Sequence, residues 1–386
     1  MKRLDRLPEQ RISISISTLL LIPAVIMAVI VLWQLRGLVV LVMISLVLAA
    51  AIAPVIDAAE RWRIPRWLSV ILVYLTLIAG LTGAGLLIGP TVFEQIQRLI
   101  RQVPISLTNF ISTLETWAIS QSDTRPELVN DLFSQVINVQ GITSWAVRSS
   151  QKLLVRSVGL TTEIAGGVFS LVLSLFLSGY MLTDNEKLTR SLTRLLPKPW
   201  DARLAAQFAP IGKRIGTYIR GRILVSAILG IAITTALSFI GLSDFALGLG
   251  AIAAVTNLIP FIGPVLGSIP ALVVAVSQGW WVFLWVFILF IIVQNVETYV
   301  LDPLLVGSSV GIHPMYQLLA VIGGTQVLGI LGAVIVPPWV AGAAVLVENL
   351  YLQPKLIAER KASSKGKTSD LSMSKSSENP ESLTVS

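Results

Sequence analysis

The residues of this chain that could do chemistry are a few polar side chains inside long apolar segments. Asn257 lies between two apolar runs, and the next run carries Gln294 and Glu297 three positions apart, on one face of a helix. Ionisable groups at membrane depth are rare and functional by default, so Glu297 is the strongest single candidate. The residues predicted to bind a solute or an ion are Asn257, Pro260, Gly263, Pro264, Gln294 and Glu297.

A lone carboxylate such as that of Glu297 has three interpretations. It carries a proton or a sodium ion, it pairs with a cation from another helix, or it is a hydrated group near the membrane surface. Glu348 lies close to the end of the last apolar segment, where the hydrated interpretation is stronger. The sequence leaves the three interpretations of Glu297 open.

The segment 246–276 is apolar and glycine-rich, but the stretch 257–264 interrupts it with Pro260 and Pro264. A backbone surrounded by lipid must satisfy its own hydrogen bonds, so a broken helix is tolerated only where protein or a water-filled cavity covers the freed groups. Broken helices of this kind build substrate and ion sites in transporters. Each half of the segment is too short to cross about 30 Å of hydrocarbon, which predicts a re-entrant hairpin. Two short crossings are the alternative, and they leave the same topology for the rest of the chain.

A second cluster of glycine and proline follows Glu297 and predicts turns, close helix contacts or hinges. Its candidates for gating or proton relay are Pro303, Gly307, Gly311 and His313. A histidine before proline at the start of a helix is also a common structural feature. Residues 307–311 match the pattern G-x-S-x-G, but no hydrolase sheet surrounds them, so we predict no catalytic residue and no enzyme activity.

The composition excludes several classes of protein. The chain is 54% hydrophobic and 13% charged, against about 25% charged residues in a soluble domain. It has no cysteine and one histidine, so disulfides and thiolate or histidine-rich metal sites are excluded, and we predict neither a metal nor a cofactor. The net charge of +8 comes from basic residues beside apolar segments, which indicates a lipid bilayer as partner and no nucleic acid.

The hydropathy pattern predicts an all-α polytopic membrane protein. We expect about seven or eight transmembrane helices, a re-entrant broken hairpin and a small extracytoplasmic helical segment. The apolar segments are 19–35, 38–56, 67–88, 161–182, 223–241, the broken 246–276, 280–301, 315–330 and 332–352.

Basic residues in short loops favour the cytoplasm, which sets the predicted topology. Arg61, Arg63 and Arg66 therefore lie inside, as do both termini. The predicted regions are a cytoplasmic N-terminus (1–18), three transmembrane helices (19–90), an extracytoplasmic amphipathic segment (91–160), a transmembrane helix (161–183), a basic cytoplasmic segment (184–222), a transmembrane core (223–352) and a disordered cytoplasmic tail (353–386).

The chain resembles the AI-2E family, also called UPF0118, of bacterial membrane proteins. The resemblance spans about residues 19–351, and its most specific part is the family's Asn-x-Ile-Pro-x-x-Gly-Pro element, which falls on 257–264. The family's Gln-x-x-Glu, Pro, Gly and Gly-Leu-His-Pro elements fall on Gln294 with Glu297, then Pro303, Gly307, and Gly311 with His313-Pro314. The sequence departs from the family at Ile312 and at 337–339.

The resemblance implies a secondary transporter of the bacterial plasma membrane that forms homo-oligomers. We expect export of a small polar solute, of the autoinducer-2 kind, by alternating access, with Glu297 binding the coupling proton. A Na⁺(Li⁺)/H⁺ antiporter is the alternative, although antiporters usually use more than one intramembrane acid and the sequence offers one deep candidate. A third alternative is a membrane scaffold that transports nothing, in which Glu297 is inert.

Overall fold

The structure is a computed structural model, and it describes residues 34–121, 161–195, 197–307 and 313–360, together with isolated positions before residue 34. These residues form helices and short connections, and no strand occurs among them. The predicted all-α polytopic membrane fold is therefore confirmed. Within the described ranges, five helices are long and apolar enough to cross a membrane.

The helices follow one another with short connections. In chain order they are α1 (Arg36–Arg61), α2 (Arg66–Gln121), α3 (Thr161–Thr183), α4 (Asn185–Thr193), α5 (Trp200–Ile240), α6 (Ser243–Thr256), α7 (Ile262–Gln278), α8 (Trp280–Val296), the π-helix π1 (Glu297–Gly307), α9 (Pro314–Val347) and the π-helix π2 (Glu348–Leu352).

Two helices run well past their predicted ends. The helix expected over 67–88 continues to Gln121 as α2, because apolar residues at helical spacing follow its membrane part. Leu99 of this extension is buried against α6 and α7. The helix expected over 223–241 begins at Trp200 as α5, so the basic segment 184–222 is largely helical and its last turns lie inside the helix bundle.

The last two apolar segments form a second hairpin within α9. Gly329 has φ +65° and ψ −150°, a backbone conformation that interrupts the helix and that glycine adopts without penalty. Gly324 and Gly332 then lie backbone to backbone, since a Cβ on either would meet the carbonyl oxygen of the other. The chain therefore reverses at Gly329, between the segments predicted at 315–330 and 332–352.

Several predictions lie outside the described residues. These are the N-terminus (1–18), nearly all of the first apolar segment (19–35), most of the extracytoplasmic segment (91–160), Gly311, and the tail beyond residue 360.

The largest hydrophobic core surrounds the broken hairpin of α6 and α7. Residues of α2, α5, α6, α7 and α8 form it together, including Leu237, Leu249, Val274 and Val286, which are fully buried. A second core joins α1, α2 and α3, and a third joins α1, α5 and α9. One face of the hairpin thus packs against other helices, while Val255, Phe261 and Val265 beside the break are exposed.

Candidate functional site

The helix break occurs at the predicted position. Helix α6 ends at Thr256, α7 begins at Ile262, and Phe261 between them has φ +64°. Pro264 occupies the first turn of α7, where its missing N–H is tolerated because the first amides of a helix have no intrahelical partner. Asn257 is the C-cap of α6 and is 3% exposed, so its side chain lies inside the protein at the break.

The two arms of the hairpin pack against each other through glycine. A Cβ on Gly263 would meet the carbonyl oxygen of Thr256 and would lie 2.8 Å from the Cα of Asn257. A Cβ on Gly267 would lie 2.8 Å from Thr256 Oγ1 and 3.0 Å from the Cα of Ala253. Only glycine allows this approach, so the end of α6 and the start of α7 form one tightly packed unit.

A buried ion pair joins the break to the helices beside it. Arg222 of α5 places Nη1 2.9 Å from Oε1 of Glu297, the first residue of π1, and both side chains are almost fully buried, at 3% and 4% exposure. The same Nη1 lies 3.4 Å from Asp302 Oδ1, and Nη2 donates to Asn257 Oδ1 at 3.3 Å. Of the three interpretations of Glu297, this geometry matches the partner of a cation from another helix.

The cluster has unused hydrogen-bonding capacity. Three of its buried atoms have no hydrogen-bond partner by geometry among the described residues: Arg222 Nε, Asn257 Nδ2 and Glu297 Oε2. Ser226 Oγ, one turn beyond Arg222 on α5, has none either. Buried polar atoms in proteins nearly always have a partner, which is protein, water or ligand. Asn257 Nδ2 is a donor and Glu297 Oε2 is an acceptor, and the two side chains also interact with each other across the cluster. The cluster can therefore bind a polar group that is both donor and acceptor.

A cavity of about 320 Å³ lies against this cluster. Asn257 and Glu297 line it together with Gln294, Asn295 and Ser268, while the rest of its wall is apolar. The apolar wall comes from α5, α6, α7 and α8 and comprises Leu229, Ile233, Ala253, Pro264, Val265, Leu272, Phe287, Phe290, Ile291 and Val293. Gln294 and Glu297 both face the cavity, as their spacing predicts.

The remaining candidates lie around the cavity or away from it. Pro260 is buried in the break but does not line the cavity, and the same holds for Gly263, which acts through packing. Pro303 lies inside π1, and Gly307 ends π1 with φ +79°. His313 is exposed at the start of α9, where its Nδ1 accepts a hydrogen bond from the amide of Met315 at 3.3 Å, which is the structural interpretation of this residue.

Glu348 belongs to a separate ion pair. It lies 2.8 Å from Arg214 of α5, and its side chain is 38% exposed, in agreement with the interpretation that it is partly hydrated. This second pair does not line the cavity.

The sequence analysis missed Arg222, Ser226 and Asp302. Arg222 was counted with the basic cytoplasmic segment, although Arg222, Ser226 and Gly230 recur every four positions and mark an inward face of α5. Asp302 lies in the cluster of glycine and proline after Glu297, which predicts turns and gives this acid no role of its own. It lies five positions after Glu297, and the wider repeat of a π-helix brings residues at that spacing onto one face, whereas an α-helix separates them.

Comparison with known proteins identifies the family. A family model described as AI-2E family transporter matches residues 20–352. YueF of Bacillus subtilis is 28% identical over 309 residues, which cover 78% of this chain and 81% of YueF. YrrI of the same organism is 27% identical over 310 residues, covering 79% and 84%. The AI-2 transport protein TqsA of Escherichia coli is 22% identical over 299 residues, covering 76% and 81%. Because the family model matches most of the length of this chain, the chain belongs to the AI-2E family of transporters.

Proposed function

We propose that this protein exports a small polar solute across the bacterial plasma membrane by alternating access, with the cavity beside the broken hairpin as the solute site. The observation that carries the proposal is the cavity itself, whose volume of about 320 Å³ falls in the range of small-molecule sites, roughly 300–1,000 Å³. A bare monovalent cation would leave most of this space unfilled. The volume therefore favours an organic solute.

The chemistry of the cavity favours a hydroxylated solute. A hydroxyl group both donates and accepts, so it can insert between the Glu297 carboxylate and the Asn257 amide, which interact with each other in its absence. Gln294 and Asn295 add amide groups on the same side, and the apolar wall fits the carbon skeleton. A diol of the autoinducer-2 kind has these properties, and one relative, TqsA, is named for AI-2 transport.

Coupling to a proton follows from the ion pair. In this proposal, protonation of Glu297 removes the charge that holds Arg222, and the guanidinium then binds Asp302, which already lies 3.4 Å from Nη1. The exchange changes the polar face of the cavity without leaving Arg222 unpaired in the interior. Since Gly263 and Gly267 lock α6 to α7, the hairpin moves as one unit during alternating access.

The test is export of autoinducer-2 from proteoliposomes that contain the purified protein, driven by an imposed proton gradient. We expect export by the parent, loss of export in Glu297→Gln, and parent-like export in Glu348→Gln. Glu348→Gln is a matched control, because Glu348, like Glu297, pairs with an arginine of α5 but does not line the cavity. Equal export by the two variants would remove Glu297 from the mechanism.

Exchange of Na⁺ or Li⁺ for H⁺ is the second candidate. The observation that favours it is Asp302, which supplies a second acid beside Arg222 where the sequence analysis had found one. With both acids ionised, the two carboxylates and the single guanidinium of this cluster carry one net negative charge, which suits a cation. Sodium-induced dissipation of a proton gradient in the same proteoliposomes, lost in Glu297→Gln, would promote this candidate over the first.

A further inference from the structure

One acidic side chain lines the described wall of the cavity, and an arginine outside the cavity offsets its charge in part, since the same guanidinium also faces Asp302. Among the described residues that line the cavity, Glu297 alone is ionisable. Arg222 does not line the cavity, yet its Nη1 lies 2.9 Å from the Glu297 carboxylate. The residue as a whole is 2% exposed. The side chain thus acts on the cavity through Glu297 and Asn257.

We infer that Arg222 determines the charge selectivity of the cavity: it is a built-in counter-cation that makes the site accept uncharged solutes and reject inorganic cations. The inference rests on the proposed solute site and adds the class of solute that the site excludes. Arg222 is a positioning residue in this account, since nothing places it in contact with the solute.

The contacts of Arg222 hold the counter-cation in place. Nη1 faces both carboxylates and Nη2 donates to Asn257 Oδ1, so the planar guanidinium contacts α6 and both acidic residues of π1. Gly221, its neighbour, lies against the backbone of π1, because a Cβ there would meet the carbonyl of Leu305. Helix α5 cannot therefore withdraw Arg222 from π1 without separating these backbones.

The guanidinium of Arg222, a cation that belongs to the chain, has two effects on the binding of a free sodium ion. It occupies Glu297 Oε1, one of the oxygens that a sodium ion would need, at the high effective concentration of a group in the same chain. It also repels a second positive charge at close range, which is an element of specificity against the wrong ligand. An arginine suits this role because it stays protonated at every physiological pH.

Arg222→Gln removes the positive charge and leaves Glu297 and Asp302 without a counter-ion. The experiment measures binding of radioactive sodium to the purified protein in detergent. We expect no saturable binding by the parent and saturable binding by Arg222→Gln, with an affinity roughly tenfold or more above the upper limit set for the parent, the size expected when one charge is removed beside a buried carboxylate. Arg214→Gln is the matched control, because it removes an arginine of the same helix that pairs with Glu348.

Arg222→Lys separates charge from geometry. The variant keeps the positive charge on a side chain of different shape, so it should exclude sodium as the parent does. Sodium binding by Arg222→Lys as strong as by Arg222→Gln would overturn the role assigned to the charge. Saturable binding by the parent that Glu297→Gln removes would also overturn it, and so would a folded Arg222→Gln that binds no more sodium than the parent.

Arg222→His keeps the test possible if Arg222→Gln does not fold. The groups that face this position in the parent are the carboxylates of Glu297 and Asp302 and the amide of Asn257, all contacted by the guanidinium. The variant is purified with the imidazole protonated, at about pH 5.5, and is then moved to about pH 9, where the ring is neutral. We expect sodium binding above that of the parent only at the higher pH, and equal binding by parent and variant there would contradict the inference.

This readout is independent of the proposed transport. If the parent fails to export autoinducer-2 but Arg222→Gln gains sodium binding, the proposed solute is wrong and the charge selectivity of the cavity stands. If the parent exports the solute and no Arg222 variant gains sodium binding, the proposed function stands and this inference is wrong.

Discussion

The buried pair of Arg222 and Glu297 predicts a specific pattern of stability losses. Both side chains are 4% exposed or less, so Arg222→Gln leaves the Glu297 carboxylate buried with no cation beside it. Removing one partner of a buried ion pair typically costs about 3–5 kcal/mol, and a charge at membrane depth costs about 2.5–3.5 kcal/mol on insertion scales. We therefore expect Arg222→Gln to lower the free energy of unfolding by about 3 kcal/mol.

Replacing the acidic partner of the pair should lower the free energy of unfolding by less. In Glu297→Gln, Arg222 keeps a carboxylate partner, because Asp302 Oδ1 lies 3.4 Å from Nη1. We expect a loss of about 1.5–2 kcal/mol, the lower part of the range for a hydrogen bond to a charged group. The double variant leaves neither charge of the pair and should lose less than the sum of the single variants, by about 1–3 kcal/mol of coupling energy.

Equilibrium unfolding in mixed detergent micelles, followed by tryptophan fluorescence, measures these free energies, since the chain has ten tryptophans. The control cycle is Arg214→Gln with Glu348→Gln, whose pair is 18% and 38% exposed. Exposed pairs contribute about 0–1 kcal/mol, so this cycle should show little coupling. Strict additivity in the Arg222–Glu297 cycle, or equal losses from the two single variants, would refute the reasoning.

Three further predictions concern the hairpin. Gly263→Ala should destabilise the protein by about 1–3 kcal/mol through overpacking against the end of α6, whereas Gly212→Ala, at an open position of α5, should be neutral or stabilising in the same unfolding assay. Phe261→Gly should raise the free energy of unfolding by about 1 kcal/mol, because it relieves a positive φ, and an unchanged value would show that the turn is unstrained. Pro260→Ala should partly restore helix across the break and reduce solute flux more than Pro23→Ala, which removes a proline of the first apolar segment (19–35). Equal flux from both variants would remove the break from the mechanism.

The helices and the break are predictable from the sequence for local reasons. Hydropathy locates the apolar helices because burial in lipid requires long apolar runs. The break at 257–264 is predictable because prolines remove backbone donors whatever the tertiary contacts are. The shared face of Gln294 and Glu297 follows from helical spacing alone.

The partner of Glu297 is not predictable by these local arguments. Arg222 lies in a region rich in basic residues, and counting charges assigns such residues to water, whereas helix α5 continues from Trp200 and carries Arg222 into the bundle. The contact of Gly221 with π1 then brings Arg222 beside Glu297, and this contact depends on how two distant segments cross. The π-helical repeat that adds Asp302 to the cluster is likewise set by packing.

The central claim, that the solute occupies the cavity beside the broken hairpin, has a direct test in cysteine labelling. The chain has no cysteine, so a single Ser268→Cys substitution places the only thiol in the cavity wall. The account predicts that a water-soluble thiol reagent labels this position, that autoinducer-2 slows the labelling, and that labelling of Ser191→Cys, on exposed helix α4, is unaffected by the solute. No labelling at Ser268→Cys, or a rate that saturating solute leaves unchanged, would contradict the claim.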